Sequence, residues 1–399
     1  MLDMKHNNEL QIQIDDVYAC LGQCPGCMLS VVERKVREPD MSFDTLEKVI
    51  QRLRDYVLEL DYSLDRINIT YGLADHMLMD DDYIVKIHDM ASEIIKLANP
   101  TEKHYSSVFF STSLVGKPRV LSERLKNIRS KINNEIQLIP VVVFDPGLFS
   151  SLKFGPEYKK LIIEAKEIFG KIDLSINISN DTIEKYDANN LYSFAIDNEF
   201  DEVTINWIPT DDNLKYTSRD LNEIANFLID FDKLIQSENK VICSYRPVLM
   251  RTIDATMCFA NEDWSILKSV NSLIPNTFPR SFQIDEKGNL LPKFEAIGDI
   301  IQSDRFGFKT FGNLHDSSIS EILSTALPQV QKNIFKSYYS YKECSTCDVS
   351  PICAGTGFHV INNVYKNSEY QTFGVDGCPH IAKKMIKYYY DEVKDPYEN

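Results

Sequence analysis

Seven of the nine cysteines in this 399-residue chain fall into two tight groups near opposite ends, a pattern few folds accommodate. Cys20, Cys24 and Cys27 spell C-x3-C-x2-C in CLGQCPGC. Cys344, Cys347 and Cys353 spell C-x2-C-x5-C, and Cys378 follows in DGCPH. Cys243 and Cys258 stand apart, and Cys243 in KVICSYRP reads as a small buried apolar residue. The opening residues, MLDMKHNNELQIQI, lack the apolar core of a signal peptide. The run Leu138 to Phe144 is too short to cross a bilayer. A cytoplasmic chain, not attached to a membrane, is therefore expected, with its thiols kept reduced. Such thiols point to metal or redox chemistry rather than disulfides. The net charge of −16 repels a phosphate backbone, so nucleic acid is not an expected partner.

The first group follows the alternating stretch from Leu10 to Ala19, which predicts a strand. Gly22, Pro25 and Gly26 keep the cysteine loop tight and non-helical. Three thiolates on one loop can hold three irons of a cubane cluster and leave the fourth open to a small molecule. Strands and helices then alternate for about two hundred residues. Ser42 to Leu60 carries Leu46, Val49, Ile50, Leu53 and Val57 on one helical face, with Asp44 and Glu47 as its capping pattern. Further strands are predicted at Arg66 to Gly72, Val108 to Thr112, Leu138 to Asp145, Ile172 to Ile178 and Glu202 to Ile208. Helices are predicted at Asp81 to Leu97, Leu121 to Ile132, Pro156 to Phe169 and Ser218 to Leu234. Six βα units imply strand ends gathered on one rim, where Cys20, Gly72, Thr112, Asp145 and Asn180 fall.

A C-x3-C-x2-C loop directly after a first strand resembles the signature of the radical SAM superfamily. The resemblance implies an α/β fold: a partial (β/α)6 TIM-type barrel. It also implies a [4Fe–4S] cluster on Cys20, Cys24 and Cys27 whose open iron binds S-adenosylmethionine, and a 5′-deoxyadenosyl radical that abstracts hydrogen from substrate. Two details depart from the family pattern. Gly26 stands where an aromatic residue usually precedes the third cysteine. The Gly-Gly-Glu motif after the second strand is represented only by Gly72, in Tyr71-Gly72-Leu73-Ala74-Asp75-His76. Candidate SAM contacts are Gly72, Asp75, Ser111, Thr112, Asn177 and Asn180. For Asp75 and His76 an ordinary loop role competes. Asp145, in VVVFDPG, is the best-placed carboxylate for proton transfer, against the competing reading of a turn cap before Pro146-Gly147.

On spacing alone the second group suits zinc or a fully ligated cluster. Beside the first group it resembles a SPASM extension, with SFQIDEKGNLLPKF as its hairpin turning at Lys287-Gly288-Asn289. Phe311 to Leu323 resembles the helical lead-in. The pattern lacks cysteines at Lys293 and Gly357, which would serve the first auxiliary cluster, and keeps Cys344, Cys347, Cys353 and Cys378 for the second. Two [4Fe–4S] clusters are expected, one of them auxiliary. The expected divisions are a barrel over 8–237, a bridge over 238–280 and a SPASM-like α+β domain over 281–385. The resemblance further implies a peptide or protein substrate, as in maturases of ribosomally made peptides, and an electron donor such as flavodoxin or ferredoxin. About twenty residues precede Cys20, so no leader-binding domain is expected there. The competing readings are a dehydrogenase or epimerase of a small molecule such as an aminosugar, and a non-catalytic iron–sulfur or zinc protein. His315, His359 and His380 read as structural. So does the tail around Tyr388, as a helix packed on the barrel.

Overall fold

A computed structural model describes residues 9–21, 29–60, 63–144, 156–178, 180–207, 218–238, 242–243, 281–292, 310–325, 384 and 387–388. Strand β1 (Glu9–Val17) alternates as expected, burying Leu10, Ile12 and Ile14 while Gln11 and Gln13 stay half-buried. Helix α1 (Phe43–Glu59) buries the predicted face of Leu46, Val49, Ile50, Leu53 and Val57. Its cap is Ser42 rather than Asp44. Ser42 keeps an extended backbone and its hydroxyl accepts the Thr45 amide at 3.2 Å, whereas Asp44 already lies inside the helix.

The chain continues through β2 (Arg66–Leu73), α2 (Asp81–Ala98), β3 (Ser107–Thr112), α3 (Pro118–Lys131), β4 (Gln137–Phe144), α4 (Pro156–Phe169) and β5 (Asp173–Ile178). Two short helices follow, α5 (Asn180–Lys185) and α6 (Ala188–Asp197), then β6 (Glu202–Trp207), α7 (Ser218–Glu238) and β7 (Ile242–Cys243). The last strands are β8 (Ser281–Ile284), β9 (Asn289–Pro292) and β10 (Gly312–Asn313). Among the described residues these strands form one sheet, in the order β10-β9-β8-β1-β2-β3-β4-β5-β6-β7.

From β1 to β7 every pairing is parallel and between consecutive strands. Right-handed crossovers wound in one direction put all their helices on one face of the sheet. Ile12, Ile14, Ile67, Ile69, Val108, Phe110, Leu138, Val142, Leu174 and Ile176 lie on that face and merge with the helices into one core. The opposite face carries Gln11, Gln13, Asn68, Thr70, Phe109 and Ser111, all half-buried. A singly wound sheet curls with this second face inward, which is the arrangement of the partial (β/α)6 barrel.

The hairpin β8–β9 joins the barrel sheet at the free edge of β1. Gln11 to Ile14 pair in parallel with Ser281 to Ile284. Its turn is set by Asp285, whose side chain accepts the amides of Lys287 at 3.0 Å and Asn289 at 2.8 Å. Gly288 takes φ +77°, and a Cβ there would stand 3.3 Å from Thr45 of α1, so conformation and space both call for glycine. The hairpin edge packs on α1 as well: Phe282 meets Tyr56 edge-on at 5.8 Å, and Arg52 donates to the Leu314 carbonyl at 3.0 Å. At the other end, Tyr388 is buried and donates to Asp232 of α7 at 3.1 Å, in line with the expected packing of the tail. No helix among the described residues is long and apolar enough to cross a membrane.

Candidate functional site

The rim where β1, β2 and β3 end is built around a β-bulge. Asp15 pairs with Gly72 and Val17 with Leu73, so Asp16 is the extra residue. Alternation continues through Asp15 and Asp16 and sends the two consecutive carboxylates to opposite faces, while the bulge interrupts the pairing with β2. The Asp16 carbonyl accepts the amides of Asp40 at 2.8 Å and Met41 at 3.1 Å, tying the chain before α1 to the rim. Its side chain turns toward the helices, where it lies 2.9 Å from His76 Nε2 and accepts the Tyr83 hydroxyl at 2.7 Å. The other ring nitrogen of His76 lies 3.3 Å from the Ser111 carbonyl oxygen. Burial by itself would lower the pKa of His76. The Asp16 carboxylate and the Ser111 carbonyl outweigh it and raise the value.

The next residue back makes a second clamp. The Asp75 amide donates to the Ala19 carbonyl at 2.8 Å, joining the turn after β2 to the residue before Cys20. One Asp75 oxygen accepts from the Thr112 hydroxyl at 2.8 Å and the Met77 amide at 3.2 Å, and the other accepts from Ser113. Asp75 and Thr112, both candidate SAM contacts, are hydrogen-bonded to each other within the buried rim. Ser111 and Gly72 behave differently. They lie side by side on the inner face, half-buried and buried respectively. A Cβ on Gly72 would stand 3.4 Å from Ser111 Oγ and 4.0 Å from Gln13, which is ordinary contact. Packing within the fold does not demand glycine there, and its bare backbone leaves a cradle that a side chain would fill. Cys20 follows β1 at the same rim, half-buried, with its amide donating to the Arg34 carbonyl at 3.0 Å.

Asp15 occupies the inner face beside Gly72. Its carboxyl accepts from Gln13 at 2.8 Å and from Gln283 of β8. Burial pushes its pKa up to about 7, against the two glutamine hydrogen bonds, with Asp16 and Asp285 adding to the rise. A folded value above the ordinary 3.8 means that the stability present at low pH is lost as pH rises through about 7. The ionised form costs the fold about 4 kcal/mol, from about 1.4 kcal/mol per pKa unit. Asp15→Asn is therefore expected to stabilise the chain by up to that amount at pH 8 and by little near pH 4. Denaturant unfolding at the two pH values checks this, and equal effects at both would refute it. Asp173, also pushed up to about 7 by burial, keeps some pH sensitivity in the variant.

Asn177 lies on β5 and Asn180 opens α5, with side chains outside the described residues. Cys24, Cys27, Gly26, Asp145, Cys344, Cys347, Cys353 and Cys378 also lie outside them. Among the described residues, no three His, Cys, Asp or Glu side chains are grouped to hold a metal ion. The residues that sequence reasoning missed are Asp15, Asp16 and Gln283. The signal available was the Asp-Asp pair itself, two polar residues in succession where a strand otherwise alternates.

No family model matches this chain, and no curated protein does. Solved structures match over nearly its whole length. Native anSMEcpe with bound AdoMet and Cp18Cys peptide superposes with TM-score 0.56 at 12% identity, covering 96% of each chain. SuiB of Streptococcus suis bound to S-adenosylmethionine gives 0.52 at 14% identity, covering 93% of this chain and 77% of SuiB. SuiB bound to its precursor peptide SuiA gives 0.51. At such identities the likeness is one of fold, and anSMEcpe and SuiB are radical SAM enzymes. A singly wound sheet of six βα units and a hairpin completing its edge beside the first strand give this chain the fold of the radical SAM enzymes.

Proposed function

We propose that the chain is a radical SAM enzyme that modifies a peptide or protein. The observation that carries this reading is Cys20 at the rim, with the preceding Ala19 tied to Asp75 in the turn that follows Gly72. In this reading Cys20, Cys24 and Cys27 hold a SAM-binding [4Fe–4S] cluster. The Gly72 backbone, Asp75, Ser111, Thr112, Asn177 and Asn180 are assigned to the SAM pocket, with Asp75 and Thr112 also holding each other at the rim. When bound, cluster and SAM would supply a 5′-deoxyadenosyl radical for hydrogen abstraction. The protein's own part is to orient substrate over the rim and exclude water.

Asp145 follows β4 directly and is proposed as the proton-transferring carboxylate. Cys344, Cys347, Cys353 and Cys378 are assigned to one auxiliary [4Fe–4S] cluster, in a C-terminal unit over 281–385. A cytoplasmic location and an electron donor of the flavodoxin or ferredoxin type complete the proposal. Support for a peptide substrate comes from anSMEcpe and SuiB, both of which have been solved with peptides bound.

The test is anaerobic reconstitution of the full chain, with iron and sulfide counted and 5′-deoxyadenosine assayed after reduction with SAM. About eight irons per chain are expected for two four-iron clusters, with deoxyadenosine formed. Zinc in place of iron refutes the reading.

A further inference from the structure

The hydrogen bonds of the buried Asp16–His76 pair determine how many protons it holds. One ring nitrogen of His76 faces an Asp16 oxygen at 2.9 Å, and the other faces the Ser111 carbonyl oxygen at 3.3 Å. The second Asp16 oxygen already accepts from Tyr83. A neutral imidazole carries one N–H and can satisfy only one of two acceptors. Both contacts are hydrogen bonds only if the pair holds one more proton, as imidazolium against carboxylate or with that proton moved onto Asp16. Asp16 and His76 have no exposed surface. Losing the proton would leave an acceptor facing a lone pair where water does not reach, which is costly.

That proton links four elements. Asp16 is the bulge of β1, four residues before Cys20. His76 lies four residues beyond Gly72, Ser111 belongs to β3, and Tyr83 to α2. Asp75 ties the same turn to Ala19. Other titratable groups around the pair are Asp15 and Asp40, Asp75 on the turn and Tyr71 on β2. The carboxylates favour retention of the proton.

We propose that the proton shared by Asp16 and His76 locks the end of β1 that leads to Cys20 and the turn after β2 in register, so that Asp16 and His76 act as positioning residues for SAM. The SAM part rests on the function proposed above, whereas the lock itself does not. Because the folded pKa of His76 is raised, the lock is complete below its ordinary value of 6.5 and lost as pH rises through the raised one.

The experiment measures the SAM dissociation constant and the melting temperature of the reconstituted full chain from pH 5.5 to 9.5, for wild type, Asp16→Asn and Tyr83→Phe. In wild type, SAM affinity holds through neutral pH and weakens on the alkaline side. Asp16→Asn keeps its iron, binds SAM about tenfold more weakly at pH 7.5, and has its inflection moved toward acid because the partner anion is gone. Tyr83→Phe weakens binding less and keeps an inflection close to that of wild type. Should the Asn variant fail to fold, a Tyr83→Phe profile without any alkaline inflection overturns the lock. An Asn profile superimposable on wild type, with iron retained, overturns it directly. Wild type that binds no SAM at any pH refutes the proposed function instead. The melting curves then decide the lock: it predicts an alkaline loss of stability that is smaller in Asp16→Asn, and parallel curves overturn it.

Discussion

Replacing Cys20 by serine is expected to remove about four of about eight irons per chain and with them all detectable formation of 5′-deoxyadenosine. A serine hydroxyl at that position has a far higher pKa than a thiol and is a poor iron ligand at neutral pH. With the three protein ligands proposed for a cluster that leaves one iron open, losing one leaves too few to retain it. Cys344→Ser should remove the other four irons and leave SAM binding intact. The two variants together separate the clusters, because each should lose a different half of the iron. Iron analysis and product assay on identically reconstituted samples check this. Full iron and full SAM cleavage in Cys20→Ser would refute the ligand assignment.

Phe282→Ala is expected to cost about 3–5 kcal/mol, the usual range for emptying a fully buried aromatic site. Phe282 has no exposed surface, and it packs between the edge strand of the barrel and Tyr56. A domain is typically stable by only about 5–15 kcal/mol, so the variant should unfold at markedly lower denaturant. The loss should spread beyond the hairpin. β8 is hydrogen-bonded to the strand that leads into Cys20, and Gln283 supports Asp15 on that strand. Iron at the cluster proposed for Cys20 should therefore fall after reconstitution near the new unfolding midpoint. A cost below about 1 kcal/mol would mean that the hairpin is not part of the barrel core.

Periodic features could be read from the chain directly. Leu46, Val49, Ile50, Leu53 and Val57 recur at helical spacing and all point into the core. Leu10, Ile12 and Ile14 alternate and do the same on β1. The hairpin was legible from its turn residues, because Gly288 supplies a backbone conformation that other residues avoid. The rim was legible only in part. Gly72 could be picked out as the match to the family's glycine motif, but Asp75 could not be recognised as a clamp, since Thr112 and Ser113 reach it from 37 and 38 residues away. The role of Asp15 depends on Gln283, 268 residues away in sequence. Pairing over such distances leaves no periodicity to read. A bulge adds a further difficulty, because it shifts the face on which each later side chain emerges and is marked only by two adjacent aspartates.

The parallel pairing of β1 with β8 also sets a timetable. β1 is synthesised well before one of its two neighbours, whose paired residues lie 270 positions later. At ribosomal rates of about 5–20 residues per second, roughly 13 to 54 seconds pass before that neighbour emerges. Through that interval β1 presents an unpaired apolar edge, the kind of surface that invites mispairing and chaperone capture. Iron loaded early would meet a cysteine loop whose supporting strand still lacks one side. For the cluster proposed at Cys20, late loading, after the hairpin has closed, suits this topology better.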